Sequence, residues 1–309
     1  MKSTIVRRTG ISLAAVAVLA GATACDGGSD KADGKKGGSE ARTAMQVINA
    51  AFKKTSAAKS AKVDMTMTMP GAASKGGGTT KMSGVMGWDP TVMDMNVDMS
   101  ASPAAGGKTP PKSRVLMVDN VMYASMDPAA MAGAGKELAG KKWLKIDMLA
   151  AARQSGNQQL MKQMTAGLDA NQDPAKQLGM LIGSPSIKHV GSEKVNGQDA
   201  EHYKGHLTIE EATKLNKDNG LSAEDRQKLV EGAKKAGIKG YDLEVWVNGE
   251  DYPVKMTMGM DSPKGMTNIT ANYSDYGAKA SVQAPPANET LDLVKMLKDL
   301  QKAKGGTTA

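Results

Sequence analysis

Three stretches of this chain carry an apolar side chain at every second position. They are Val63, Met65, Met67 and Met69; Met93, Met95, Val97 and Met99; and Val254, Met256, Met258 and Met260. Asp64, Thr66 and Thr68 fill the gaps in the first, and Asp94, Asn96 and Asp98 those in the second. A helix repeats its faces every 3.6 residues, so a period of two predicts strands with one apolar face and one wet face. The same reading extends to Met82–Trp88, closed by a turn at Asp89-Pro90, and to Lys142–Asp147. Val115–Val118 and Val121–Met126 predict a hairpin around Asp119-Asn120. Later strands are expected over Ser186–Asn196, Ala200–Thr208, Tyr241–Val247, Pro253–Met260 and Met266–Tyr273, with Pro285-Pro286 ending the sheet.

Helical spacing interrupts this pattern. Ala44, Val47, Ile48, Ala51 and Phe52 predict one amphipathic helix over 41–58. Residues 148–182 favour helix, with a second start at Asp173-Pro174. A polar helical stretch spans Ile209–Ala236, broken at Asn219-Gly220, and a last helix spans Leu291–Leu300. The charged run Glu224–Lys235 reads as a solvated helix face, or more sharply as a lid. The expected class is α+β: about ten or eleven strands in antiparallel order, forming one curved sheet partly wrapped around helices. Consecutive hairpins favour this over a sandwich.

The N-terminus has a separate logic. Lys2, Arg7 and Arg8 precede the apolar run Ile11–Ala20, and Ala22-Thr23-Ala24 leads into Cys25, the only cysteine of the chain. That order predicts a secretory signal over residues 1–24, too short and wrongly flanked for a spanning helix. With Cys25 at the cut site it resembles the lipobox of bacterial lipoproteins, although Ala22 stands where that pattern usually has Leu or Val. The resemblance implies a diacylglyceryl thioether on Cys25, and thus a cell-membrane anchor on the extracytoplasmic face. Each buried CH₂ contributes roughly 0.8 kcal/mol, and two acyl chains give stable anchoring where one gives marginal binding. Residues 25–40 are rich in Gly, Ser, Asp and Lys and are expected to be a flexible tether; 41–302 then form a single domain and 303–309 a tail.

Composition narrows the function. Removing residues 1–24 takes the formal charge from +8 to +5, and no run of Lys and Arg is interleaved with aromatics, so nucleic-acid binding is a poor reading. With Cys25 modified no thiol is left for a disulfide, and the domain must rely on its core. Aromatics are 3% of the chain, whereas methionine occurs 23 times. Its flexible thioether takes over packing positions that rigid side chains usually fill.

Four segments carry a further resemblance. They are Trp143–Asp147; Val190–Gly197 running into His202-Tyr203-Lys204-Gly205; Val245–Gly249 before Tyr252-Pro253-Val254-Lys255; and Tyr273–Gly277 with Ala284-Pro285-Pro286. In this order they resemble the actinobacterial LppX/LprAFG lipoproteins, whose fold is related to the carrier LolA. The resemblance implies a half-open β-barrel around an apolar cavity that holds an acylated lipid or lipoglycan. It implies no catalytic residue and no cofactor, and leaves any envelope transporter partner unidentified.

Met65, Met67, Met69, Met93, Met95, Val97, Met99, Met256, Met258 and Met260 are the candidate lining of that cavity. Long adaptable thioethers suit acyl chains of varying length, and the same residues suit an ordinary core. Other readings have less support. Copper(I) favours thioethers, but i, i+2 spacing on a strand spreads three sulfurs along one face instead of around one ion. His202 and His206 fall on a predicted strand about 13 Å apart, too far to chelate together. The chain has no phosphate-binding glycine loop, no H-E-x-x-H and no G-x-S-x-G. A sensor or scaffold lipoprotein that holds a partner protein is the remaining non-carrier class.

Overall fold

The computed structural model describes residues 42–70, 78–101, 112–126, 140–147, 149–150, 174–215, 223–263 and 265–305. The signal segment, Cys25, the tether and residues 151–173 of the helix-favouring stretch 148–182 lie outside the described residues, as do 306–309, whereas 303–305 of the expected tail continue the last helix. From Arg42 onward the chain forms one compact unit.

Helix α1 spans Ala44–Ala58. Thr43 caps it in a reciprocal box, its hydroxyl accepting from the Gln46 N–H while the Gln46 side chain accepts from the Thr43 N–H. Left-handed Lys59 (φ 63°) ends it and turns the chain directly into β1. The strands follow the predicted alternation: β1 Ser60–Met69, β2 Gly78–Trp88, β3 Thr91–Ala101, β4 Ser113–Val118, β5 Val121–Ser125 and β6 Trp143–Ile146. Helix α2, Pro174–Ile182, starts on proline, as the sequence predicts. Then come β7 Lys188–Val195, β8 Gln198–Thr208, α3 Ile209–Leu215, α4 Ala223–Lys235, β9 Gly240–Asn248, β10 Pro253–Ser262, β11 Gly265–Ser274, β12 Thr290–Asp292 and α5 Leu293–Gly305.

Among the described residues these strands make one twelve-stranded open sheet in the order β12-β6-β5-β4-β3-β2-β1-β11-β10-β9-β8-β7. Pairing of β1 with β11 joins the early meander to the late one, and β12 and β7 are left as edges. Every pairing is antiparallel except that of β12 with β6. This parallel edge departs from the expectation that Pro285-Pro286 ends the sheet and that Leu291 belongs to the last helix. Three residues are too few to display a period of two, so the apolar spacing beyond them dominated the reading.

The connections sort to two ends. At one end the turns are tight: Asp89-Pro90, Asp119-Asn120 and Asn196-Gly197, together with the short link Gly249–Tyr252. Asp119 and Asn120 both have positive φ, the requirement of a type I′ hairpin. At the other end the strands stop and resume across longer stretches of sequence, after Met69, Ala101, Ser125 and Thr208, and at the turn between Ser262 and Gly265.

The core lies on one face of the sheet, under α1 and α2. Val47, Ile48 and Ala51 of α1 and Leu178 and Leu181 of α2 pack against Val63, Met95, Val245, Met256 and Tyr273. Gly205 lets α2 settle on β8, because a Cβ there would lie 2.9 Å from Leu181 Cδ2. The Ser184 hydroxyl, just past α2, donates to the His206 carbonyl at 2.9 Å and fixes the same contact. A smaller cluster on the opposite face joins Val195, Ala200, Trp246 and Val254. Val254 was expected on the methionine face, but a bulge between Pro253 and Lys255 carries it to the other side.

Candidate functional site

Strand register settles which side chains share a face. Met65 pairs with Met82 across β1–β2 and with Ala271 across β1–β11, and Ala271 pairs with Met256. Met67 and Met258 both pair with Ile269. Val63 pairs with Gly84, and Gly84 with Met95. Nine of the ten candidate positions therefore fall on the face that carries α1 and α2; Met99 lies opposite the irregularity between Thr79 and Lys81, where register assigns it no partner. Sequence reasoning left out Met82, Met86, Met117 and Met122 of the same face. Met86, Met93, Met117 and Met122 form a cross-strand row over β2–β5. The alternation Met82-x-Gly84-x-Met86 was the available signal.

Burial grades along the strands. Met95 (2% exposed) and Met256 (5%) sit in the core cluster beneath the helices. Met65, Met67, Met93, Val97, Met99, Met258 and Met260 are half-buried, and Met69 at the tip of β1 is 47% exposed. The gradient follows the placement of α1, which is tied to the tight-turn end. Arg42 pairs with Asp251 at 2.7 Å, and the Trp88 indole N–H donates to the Thr55 carbonyl at 3.2 Å. Trp88, Tyr252, Tyr273 and Tyr276 fill that end with ring centroids 4.5–6.4 Å apart. The Tyr276 hydroxyl donates to the Pro253 carbonyl at 2.8 Å, and burial pushes its phenol far above the ordinary range for tyrosine. One end of the face is thus packed with aromatics, while the other presents half-exposed thioethers.

The charges of these strands point the other way. Arg114 donates bidentately to Asp94 at 2.7 and 2.6 Å, and Lys62 pairs with Asp275. On that outer face His206 pairs with Asp242, and His202 with Glu193 and Glu244, whereas His189 pairs with Glu201 at the β7–β8 edge of the helix-bearing face, beside Tyr203. His202 also stacks on Trp246 at 4.1 Å, and the Lys255 ammonium sits 4.0 Å from the Trp246 ring. Among the described residues no three His, Cys, Asp or Glu side chains gather as a metal site. Met65, Met67 and Met69 occupy successive same-face positions of one strand, about 7 Å apart, a spacing that does not close three sulfurs on one ion. What the methionine positions offer is apolar, uncharged and conformationally adaptable surface, suited to contact with hydrocarbon. No helix of the described residues is long and apolar enough to cross a membrane.

No family model matches the chain. An uncharacterized 31.2 kDa protein from the rplA–rplJ intergenic region of Streptomyces griseus is 31% identical over 263 residues, covering 82% of this chain and 81% of that protein. A Streptomyces coelicolor protein, provisionally named a lipoprotein, is 25% identical over 325 residues, with 96% and 98% covered. Among solved structures, the Mycobacterium tuberculosis lipoprotein LppX is similar at 12% identity and a TM-score of 0.42, over 78% of this chain and 98% of that one.

Proposed function

We propose, from the premise that this chain belongs to the family of the Streptomyces griseus 31.2 kDa protein, that it is a membrane-anchored extracytoplasmic lipoprotein that binds acylated lipid on its methionine face. The anchor reading is supported by the order of charge, apolar run and small residues before Cys25. The name carried by the similar Streptomyces coelicolor protein supports it too. The observation that carries the binding reading is the burial gradient. One continuous apolar face is closed by aromatics at the tight-turn end and left half-exposed, in methionine, at the other.

Methionine at those positions has a physical rationale. Covering apolar surface contributes roughly 25 cal/mol per Å² before ordering and desolvation are counted. A thioether side chain reshapes at low cost, so chains of different length find contact. The work is binding and hand-over, not catalysis, and release follows when a membrane competes for the same hydrocarbon. Native mass spectrometry of the protein purified from its own host membranes tests this. A co-purifying diacyl or triacyl species, in addition to the mass of the anchor, is the expected result. Protein that carries the anchor mass alone, in every preparation, defeats the reading.

A further inference from the structure

Two of the large apolar side chains most exposed among the described residues, Met69 and Met266, sit on adjacent strand tips at the long-connection end of the sheet, each 47% exposed. Thr68 pairs with Asn268 across β1–β11, so the strand tips that follow bring Met69 and Pro70 beside Met266. The Pro70 ring packs onto Gly265 there, since a Cβ on Gly265 would lie 2.6 Å from Pro70 Cβ. Met69 continues the parity of the methionine face, whereas Met266 lies on the opposite parity, beside Asn268 and Thr270. Apolar groups on both sides of one strand tip do not line a cleft; they crown the tip on both faces, with Asp261 paired across β10–β11 from Met266. Pro263 extends it and abuts Gly237, whose Cβ would fall 2.3 Å from Pro263 Cγ. That contact sets the exposed Lys235 and Lys239 two residues to either side, with Asp261 the nearby acid.

We propose that this tip, Met69, Pro70, Pro263 and Met266 with Lys235 and Lys239 beside it, docks into the surface of a bilayer containing anionic lipid. The apolar tip enters the interface while the lysines stay among the headgroups, their stems along the apolar side and their charge on phosphate. The inference rests on the acyl-lipid reading above and gives its cargo a route: hydrocarbon passes from the bilayer onto the methionine face without crossing water.

Methionine footprinting on the full protein tests it. The protein is purified from its host membranes, returned to vesicles of phosphatidylcholine with phosphatidylglycerol, and pulsed with hydrogen peroxide. Peroxide passes one oxygen to each accessible thioether and leaves as water. Met45 of α1, at 36% exposure, is the internal reference, and in an undocked domain Met69 and Met266 oxidise at least as fast. Docking slows both by at least about threefold relative to Met45, and the protection fades in vesicles of phosphatidylcholine alone. Three results overturn the inference: Met266 oxidising as fast as Met45, Met45 shielded equally, or protection indifferent to phosphatidylglycerol. Shielding of Met69 without Met266 is the mark of cargo on the inner face, so it defeats docking while sparing the lipid-binding reading. Protection of both in protein that never carries an acyl species spares docking and defeats that reading.

Discussion

Gly84 of β2 and Asp94 of β3 approach so closely that a Cβ on Gly84 would lie 2.0 Å from the Asp94 carbonyl oxygen. The atom in the way is backbone, held in the ladder that pairs Gly84 with Met95, and it cannot swing aside. Gly84→Ala is therefore expected to cost about 2–3 kcal/mol, at the upper end of what single substitutions do. Urea unfolding checks it: the midpoint should fall with little change in slope. A midpoint within error of the parent's would mean the strands relax there at no cost.

Tyr276 closes the aromatic end through one hydrogen bond, from its hydroxyl to the Pro253 carbonyl. Tyr276→Phe keeps the stack on Tyr252, at 4.5 Å, and leaves that carbonyl without this donor. The expected loss is about 1 kcal/mol, read as a lower thermal midpoint. A loss several times larger would mean that the ring packing had moved as well.

Much of this architecture was legible because a strand's period of two is an unambiguous signal over eight or more residues. β1, β3 and β10 were located by it, and the hairpin at Asp119-Asn120 by its turn residues. Val245-Trp246-Val247 is apolar at successive positions, and the structure gives the reason: Val245 and Val247 face the helices while Trp246 packs on the opposite face. β12 escaped notice because three residues carry no period, and its partner β6 lies far away in sequence. The candidate site was legible as a face but not as a gradient. Met95 and Met67 follow the same alternation, and only the position of α1 across the tight-turn end makes one core and the other half-exposed. That position depends on long-range contacts, Arg42 with Asp251 and Trp88 with Thr55, which no local pattern announces.

The edge hairpin β7–β8 is sensitive to acid. Glu201 accepts from the Ser192 hydroxyl at 2.6 Å and lies 2.5 Å from His189 Nε2; these contacts hold its carboxyl below the ordinary range for glutamate, against a smaller opposing effect of burial. A folded-state value below the unfolded one gives stability that is present above the unfolded value and lost as pH falls through the folded one. Because the carboxylate is 44% exposed, its contribution is below about 1 kcal/mol. Ser192→Ala removes the main cause, so the variant should be slightly less stable at neutral pH. The difference should close as pH falls below the usual glutamate range. Urea midpoints of the two proteins across that range check the sign, and a gap that widens in acid contradicts it.

Met258→Asp and Met95→Asp separate the exposed part of the methionine face from its core. Met258 is half-buried and shares Ile269 with Met67, so a carboxylate there can keep water while it breaks the hydrocarbon surface. Acyl-lipid retention is expected to fall by about tenfold or more, because covering the charge forfeits its hydration, with the urea midpoint little changed. Met67→Asp should behave alike from the neighbouring strand. Met95 is 2% exposed and packs in the cluster beneath α1 and α2, so its replacement buries a charge among Val63, Val47 and their neighbours. Met95→Asp should cost more than about 3 kcal/mol, and any lipid lost with it is lost through unfolding. The informative pair of measurements is lipid mass and unfolding midpoint on each variant. Met258→Asp that stays folded and keeps its lipid would remove the half-exposed methionines from the binding surface, whereas Met95→Asp that stays folded would mean that water already reaches beneath the helices.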